Sequence, residues 1–132
     1  MELIPIATVE SSLVELADAP KQGIEGAPEA WLVFDGRMTD GLEGMTEGDE
    51  VLVLTWLDRA QREILRVHPR DDPTIPERGV FTTRSADRPN PIGLHRVQVL
   101  SIEGRRLLVR PLEAVDGTPI IDVKPVLGGI DR

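Results

Sequence analysis

Two arginines and an asparagine in one proline-stiffened stretch suit the binding of an anionic ligand. The stretch runs from Arg78 to Gly93 and contains Arg84 and the run Arg88-Pro89-Asn90-Pro91. Each proline fixes its own φ at about −65° and disfavours helical geometry at the residue before it, so Arg88 and Asn90 are predicted to be extended. A guanidinium group offers a planar fork of donors that matches a carboxylate or a phosphate. The stretch is therefore predicted to belong to a binding site.

The same two arginines would also suit ordinary surface ion pairs with Asp87 or Glu77. In an extended loop Arg84 and Arg88 would lie roughly 13 Å apart, too far to hold one small anion together unless the loop folds back. Gly93 closes the stretch, where we expect either a positive φ or a close approach of another backbone segment.

Three other charged residues have both a structural and a functional interpretation. Asp122 and Lys124 are two residues apart in a predicted strand, so they share one face, opposite Ile121 and Val123. They form either an ordinary ion pair or part of a site. Asp116 begins the turn sequence Asp-Gly-Thr-Pro, where a carboxylate commonly accepts hydrogen bonds from its own backbone.

The chain has no cysteine and only two histidines, His68 and His95, so it offers no convincing zinc set and no metal is expected. His68 precedes a proline and is predicted to lie in a loop. His95 stands beside an arginine and is predicted to be exposed. The sequence lacks a dinucleotide-binding glycine motif, a P-loop and a nucleophile-elbow motif, which argues against Rossmann, nucleoside-triphosphate and α/β-hydrolase chemistry.

Charge is unevenly distributed along the chain, whose formal net charge is −8. Residues 59–110 carry 11 basic and 6 acidic side chains, whereas residues 1–58 carry 2 and 13. An acidic protein is a poor match for nucleic acid, but a basic patch on an acidic body can still bind phosphates. The charge pattern is equally compatible with arginines that cluster without a partner.

Length and composition favour one domain with a single core over residues 1–132, since 40% of the chain is hydrophobic. The absence of cysteine favours a reducing, cytoplasmic setting. No basic leader or long apolar run predicts a signal peptide or a membrane span.

Short apolar segments separated by turn residues predict a mainly β domain closed into a small barrel, with one or two short helices. Val51–Leu57 is a continuous apolar run and is predicted to be a strand buried on both faces. Met38, Leu42 and Met45 have helical spacing, and Ser11–Ala17 is predicted to form a helical turn before a long loop. The other predicted strands are Leu3–Val9, Trp31–Phe34, Ile64–Val67, Gly79–Thr83, Leu94–Ile102, Arg106–Leu112 and Ile120–Lys124.

Four segments together closely resemble the TsaA/TrmO family: GVFTTRS at 79–85, RPNPIGL at 88–94, DGTP at 116–119 and DVKP at 122–125. A first strand at 4–11 and a Pro-Lys-Gln-Gly loop at 20–23 extend the resemblance over nearly the whole chain. It implies a small single-sheeted β-barrel, usually a homodimer. It also implies a methyltransferase that uses S-adenosylmethionine to modify N6 of threonylcarbamoyladenosine at tRNA position 37, beside the anticodon.

The resemblance further implies roles for individual residues. Arg88, Asn90, Asp122 and Lys124 are expected to shape the loop or to contact the substrate. Asp116 is the candidate carboxylate for removing the proton from N6. Asp58 stands where many members of the family carry histidine. The residues implied to contact S-adenosylmethionine are Gln22, Gly23, Asp58, Arg59, Arg84, Leu94, Arg110, Pro111, Leu112 and Glu113.

Two other functions stay open from the sequence. A non-catalytic module of the same fold would grip RNA or another anion through the segment from Arg59 to Arg110, with strong salt dependence. A methyltransferase acting on a small metabolite would suit the net negative charge better.

Overall fold

A closed six-stranded barrel dominates the computed structural model, which describes residues 1–12, 28–129 and 131. Neighbouring strands around the barrel are antiparallel, in the order β1-β2-β7-β6-β3-β8, and β4 pairs with β5 in a separate two-stranded sheet. This confirms the predicted mainly β barrel. The strands are β1 (Ala7–Glu10), β2 (Ala30–Phe34), β3 (Glu50–Trp56), β4 (Arg66–Val67), β5 (Arg78–Gly79), β6 (Ile92–Glu103), β7 (Arg106–Arg110) and β8 (Pro119–Pro125).

The core lies inside the barrel and is built from alternate residues of its strands. In a strand successive side chains point to opposite faces, so every second residue faces inward. Small β-branched side chains predominate, because they pack well on a narrow pleated surface. The fully buried aliphatic residues of the barrel include Val9, Leu32, Val51, Val53, Val97, Val99, Leu107, Val109, Leu112 and Ile120.

The prediction that Val51–Leu57 is buried on both faces is wrong in one respect. β3 is a strand, but only Val51, Val53 and Thr55 are fully buried, whereas the intervening residues are half-buried. A barrel has an inside and an outside, so an apolar run in one of its strands supplies the core with one face and leaves an apolar outer face. That outer face continues onto β6, where Ile92 and Leu94 are exposed.

The first strand starts later than predicted. β1 begins at Ala7, and Pro5 lies before it, since proline has no N–H with which to join the ladder. The predicted helical turn at Ser11–Ala17, apart from its first two residues, lies outside the described residues, as do Gln22 and Gly23. The predicted helix around Met38 is a 3-10 helix, Gly36–Leu42, and Met38, Leu42 and Met45 pack against the core as their spacing indicated.

The two strands predicted on either side of residues 103–105 pair as a hairpin, in which β6 and β7 are joined at Gly104, whose φ is +61°. The alternation predicted for β8 fails at one point, because the register of β3 against β8 shifts between Leu54 and Thr55. Ile120 is therefore buried in the core and Val123 packs against it, whereas Ile121 lines an outer groove. Ile121 and Val123 do not share a face.

Residues 57–91 form an excursion that leaves the barrel after β3 and returns to it before β6. Because Trp56 and Ile92 are paired neighbours in the barrel, the two ends of the excursion lie side by side, and the Leu57 N–H donates to the Pro91 carbonyl at 2.8 Å. The excursion contains β4, β5 and 3-10 helices at Pro69–Asp71 and Val80–Thr82.

The strands predicted within the excursion are shorter than expected. Of Ile64–Val67 only Arg66–Val67 is a strand. Gly79–Thr83 was predicted as a strand, but β5 ends at Gly79 and the chain turns at once into the 3-10 helix. The reason is that Val80 is the only fully buried side chain in that segment, so the alternation needed for a strand has no second buried position.

Candidate functional site

The site is built where β3 ends and β6 begins, at one end of the barrel. Thr55 and His95 both point into the barrel there, and the Thr55 hydroxyl and His95 Nε2 lie 3.0 Å apart at hydrogen-bonding distance. Gly93, opposite Thr55, makes this arrangement possible. A Cβ atom at Gly93 would overlap the Thr55 hydroxyl and lie 2.9 Å from His95 Nε2. The expected close approach at Gly93 is thus a side-chain approach within the barrel.

A cavity of about 190 Å³ opens at this end of the barrel. His95 and Glu113 also border an adjoining hollow of about 220 Å³. Small-molecule sites typically occupy about 300–1,000 Å³, so the two spaces together reach the lower part of that range. The larger part of the wall comes from loops at the ends of β3 and β7 and from the end of the excursion. The residues lining the cavity are Leu57, Asp58, Arg59, Ala60, Ala86, Asp87, His95, Glu113, Ala114, Val115 and Thr118.

In this cavity Glu113 has a carboxylate oxygen that lacks a hydrogen-bond donor within the part of the chain that the structure describes, and a ligand could supply one. Its Oε1 atom is buried and has no hydrogen-bond partner among the described residues. Burial raises the pKa of the Glu113 carboxyl. An unpaired buried oxygen is costly, and a hydroxyl or amino donor on a ligand would remove that cost.

His95 adds a neutral imidazole beside Glu113. Burial lowers the pKa of His95 from 6.5 to about 4, so the ring carries no charge near neutral pH. The Thr55 hydroxyl can donate to Nε2 or accept from it, and the other ring nitrogen then has the opposite capacity. The prediction that His95 is exposed is therefore wrong. The alternation of β6, in which Gly93, His95 and Val97 share the inner face, was the available signal.

Asp58 and Arg59 reach the cavity because the excursion begins with a tight turn. The Asp58 N–H donates to the Trp56 carbonyl and the Ala60 N–H to the Leu57 carbonyl. The two ends of the excursion are joined by the Gln61 N–H, which donates to Asp87 Oδ1 at 2.8 Å. The adjacent residues Asp58 and Arg59 thus line the same cavity as Glu113, which is far from them in the sequence.

Arg88 and Asn90 shape the loop. The Arg88 guanidinium donates to three backbone carbonyls, of Val80 at 2.7 Å, Ser85 at 2.9 Å and Thr83 at 3.2 Å. Asn90 Oδ1 accepts from Arg62, whose Nε also donates to the Pro89 carbonyl at 2.7 Å. The Arg62 guanidinium lies over the Trp56 ring, 5.1 Å from its centroid. Arg62, which the sequence did not single out, fastens the end of the excursion to the barrel.

Other residues of the predicted cofactor set do not line the cavity with their side chains. Arg84 is exposed and makes no ion pair among the described residues. Leu94 is on the outer face and is 45% exposed. Arg110 lies 3.9 Å from Glu29. Pro111 borders the smaller hollow, and the Leu112 side chain is buried in the core.

The remaining predicted residues lie elsewhere. Asp122 and Lys124 form an ion pair at 3.2 Å, as their spacing indicated. Asp116 Oδ1 accepts from the Ser11 N–H at 3.0 Å, and the Ser11 hydroxyl donates to the Ala114 carbonyl. Asp116 therefore tethers the end of β1 to the turn, rather than bonding to its own backbone. His68 lies in a loop, as predicted, with Nδ1 2.7 Å from the Ile75 carbonyl oxygen.

The described residues contain neither a candidate membrane-spanning helix nor a candidate metal site. None of their helices is long and apolar enough to cross a membrane. Within the same residues, no group of three histidine, aspartate or glutamate side chains is placed to hold a metal ion.

The sequence matches the tRNA-methyltransferase O (TrmO) N-terminal domain family over residues 8–132. The chain belongs to the TrmO N-terminal domain family. This TrmO-family chain is 46% identical to an S-adenosyl-L-methionine-binding protein of Archaeoglobus fulgidus, over 99% of this chain and 93% of the relative. It is 40% identical to a probable S-adenosyl-L-methionine-binding protein of Methanothermobacter thermautotrophicus, over 96% and 90%.

The crystal structure of TrmO from Pseudomonas aeruginosa superposes on this TrmO-family chain with a TM-score of 0.79 at 27% sequence identity. The match covers 100% of this chain and 58% of the crystallised one. The chain therefore spans somewhat more than half the length of that structure.

Proposed function

We propose that the chain binds S-adenosylmethionine in the cavity at the end of the barrel and transfers its methyl group to N6 of threonylcarbamoyladenosine at tRNA position 37. The observation that carries the proposal is Glu113, whose buried oxygen lacks a partner within the described residues. Family membership and the names of the relatives support the same cofactor.

The cavity residues suit this cofactor in chemistry as well as in size. The Glu113 carboxylate can accept from ribose hydroxyls or from an amino group. Arg59 can face the methionyl carboxylate, and Asp58 can interact with the amino group beside it. When bound, S-adenosylmethionine supplies a methyl group on a sulfonium that is already activated for displacement. The protein has then mainly to align the acceptor nitrogen and to exclude water.

The acceptor nitrogen must also lose a proton, and the positions of the nearby carboxylates and of His95 bear on which group could accept it. Asp116, the residue proposed from the resemblance, is exposed and holds Ser11, and it is not among the residues that line the cavity. His95 and Glu113 do line it. Burial raises the pKa of the Glu113 carboxyl and so makes it the stronger base, whereas the lowered pKa of His95 makes its ring a weak proton acceptor. We therefore place proton transfer at the end of the barrel and keep Asp116 as a positioning residue.

Calorimetric titration of the protein with S-adenosylmethionine tests the proposal. We expect saturable binding to the wild type and an affinity lower by about 10- to 100-fold in Glu113→Gln, because the amide is a poorer acceptor for a buried donor. Glu103→Gln is the matched control, since Glu103 is exposed at the opposite end of β6. No binding to the wild type, or equal loss in both variants, would refute the cofactor site.

Transfer of labelled methyl groups separates the candidate reactions. The proposal predicts label in tRNA that carries threonylcarbamoyladenosine and none in the same tRNA without that modification. Label in a pool of small metabolites instead would favour the metabolite methyltransferase. Cofactor binding without transfer to either would point to a binding module.

We further propose that two copies of the chain associate through the outer face of β3 and β6. Ile92 and Leu94 are exposed there beside the half-buried Leu52, Leu54 and Trp56, which is an apolar surface of the kind that interfaces cover. Light scattering should give the mass of two chains for the wild type and of one chain for Ile92→Glu. Leu127→Glu, at another exposed apolar residue, should remain a dimer. A wild type of single-chain mass would exclude this interface.

A further inference from the structure

Phe81 is the one aromatic residue of this chain that no other part of the described structure covers. The chain has four aromatic residues, and Phe34 is buried in the core. Trp31 lies beneath the guanidinium of Arg106, 4.4 Å from its ring centroid, and Trp56 beneath that of Arg62. Phe81 is 77% exposed. An aromatic ring held in water needs an explanation, because each of the others is packed or stacked.

The exposure of Phe81 is enforced by its backbone. Val80 beside it is fully buried, and the Val80 N–H donates to the Leu65 carbonyl at 2.9 Å. The carbonyls of the same turn are held by Arg88, and the Thr82 and Thr83 hydroxyls donate back to Gly79 and Val80. Because the turn is fixed on both sides, the ring is presented outward and is not a side chain left out of a loose loop.

The segment that carries the ring is locally basic in an otherwise acidic sequence, between Glu77 and Asp87. The nine residues from Arg78 to Ala86 include two arginines and no acidic residue, in a chain of net charge −8. Arg78 and Arg84 are both exposed and form no ion pair within the part of the chain that the structure describes. The neighbouring Glu77 is 3.5 Å from Arg66 and is thereby neutralised.

We propose that this turn is a docking surface for single-stranded RNA, in which Phe81 stacks on an unpaired base and Arg78 faces a phosphate. Every nucleobase offers a π-face, and an exposed aromatic ring flanked by cations is the usual platform for unpaired bases. An apolar protein partner would match the ring but not the arginines. The inference rests on the proposed function, in which the methyl acceptor is a base in an RNA loop.

The position of the turn fits delivery of that base. Ala86 and Asp87 line the cavity, and only Ser85 separates them from Arg84 in the sequence. An RNA loop stacked at Phe81 would therefore have its neighbouring nucleotides at the mouth of the cavity. Arg84 lies in the sequence between Phe81 and the residues that line the cavity, so it belongs to the segment that both the RNA and S-adenosylmethionine would approach.

Fluorescence polarisation with a labelled RNA hairpin that has an unpaired loop tests the surface without any catalytic step. We expect Phe81→Ala to weaken binding by about 5- to 100-fold and Phe81→Trp to retain it, since one stacked base is lost or kept. Binding of a fully paired duplex should change little in either variant. Leu127→Ala is the matched control, because it removes another exposed apolar side chain elsewhere.

Arg78→Gln should reduce hairpin binding and flatten its dependence on salt, because one phosphate contact is removed. The inference is overturned if the wild type does not bind the hairpin, if Phe81→Ala binds it as well as the wild type, or if Phe81→Ala weakens duplex binding equally. Titration of the same variants with S-adenosylmethionine in the absence of RNA keeps the two proposals apart. Unchanged cofactor affinity in Phe81→Ala is expected, and loss of it would reassign Phe81 to the cofactor site.

Discussion

The barrel and the excursion at residues 57–91 are held together by different forces. The barrel buries an inner face of small aliphatic side chains, at least one from each of its strands. In the excursion only Val80 and Pro91 are buried, and the other hydrophobic side chains there are at least partly accessible. The conformation of the excursion depends instead on hydrogen bonds between backbone groups and the side chains of Arg62, Asp87 and Arg88.

This difference explains where the site is. Burial is non-directional and tolerates conservative change, whereas a hydrogen bond is lost when one partner moves or changes. The cavity lies at the junction, with Glu113 and His95 contributed by the barrel side and Asp58, Arg59 and Asp87 by the excursion. One wall of the cavity is therefore held by the packed barrel, and the opposite wall is positioned by a few hydrogen bonds of the excursion.

The largest expected effect is at Gly93, where the two regions meet. Gly93→Ala should lower the free energy of unfolding by about 3 kcal/mol or more, because the new Cβ would overlap the buried Thr55 side chain and crowd His95. Urea unfolding measures the loss. Gly41→Ala, where a Cβ meets nothing, is the matched control. Equal stability of the two variants would show that the barrel end can shift to accept a Cβ atom at Gly93.

A second test uses pH, since the His95 ring is buried on the barrel side of the junction. Because the pKa of His95 is lowered to about 4, the unfolded state takes up a proton first as pH falls below 6.5, and stability is lost between 6.5 and about 4. The full effect is on the order of 3 kcal/mol. Unfolding curves of His95→Gln should show a shallower loss over this window than those of the wild type. Identical slopes in the two proteins would place the His95 ring in water.

A smaller effect on the free energy of unfolding is expected when the hydrogen bonds of Arg88 within the excursion are weakened. Arg88→Lys keeps the charge but loses the fork that reaches three carbonyls, so global stability should fall by only about 1–2 kcal/mol. Hydrogen exchange should instead accelerate in residues 80–85 and leave β3 and β6 protected. Acceleration across the barrel strands would mean that the two regions unfold together.

The smallest effect has the opposite sign. Glu113→Gln should raise stability at neutral pH by up to about 1 kcal/mol, because it removes a desolvated charge, and part of the side chain still reaches solvent. Thermal unfolding without ligand measures the gain. A destabilised variant would indicate that the carboxylate already has a structural partner.

The sequence predicts the barrel better than the site, for a physical reason. Strands such as Val51–Leu57 follow from local apolar pattern, and so does the hairpin at Gly104. The side on which His95 lies depends on register, which Gly93 and Thr55 set from two strands. Similarly, Gly79–Thr83 has the composition of a strand. The Arg88 guanidinium, however, donates a hydrogen bond to the Val80 carbonyl and stabilises a turn there instead. Asp58 and Glu113 were predicted as site residues only from the family resemblance, because no local sequence pattern indicates that these two distant residues lie close together.

The adjacent ends of the excursion have a consequence for how this fold can change. Since Leu57 and Pro91 are already hydrogen-bonded, lengthening, shortening or exchanging the chain between them leaves the barrel register intact. The entropic penalty for a longer segment grows only slowly with its length. The excursion can thus be replaced as one segment, which would change one wall of the cavity while the wall that contains His95 and Glu113 stays in place.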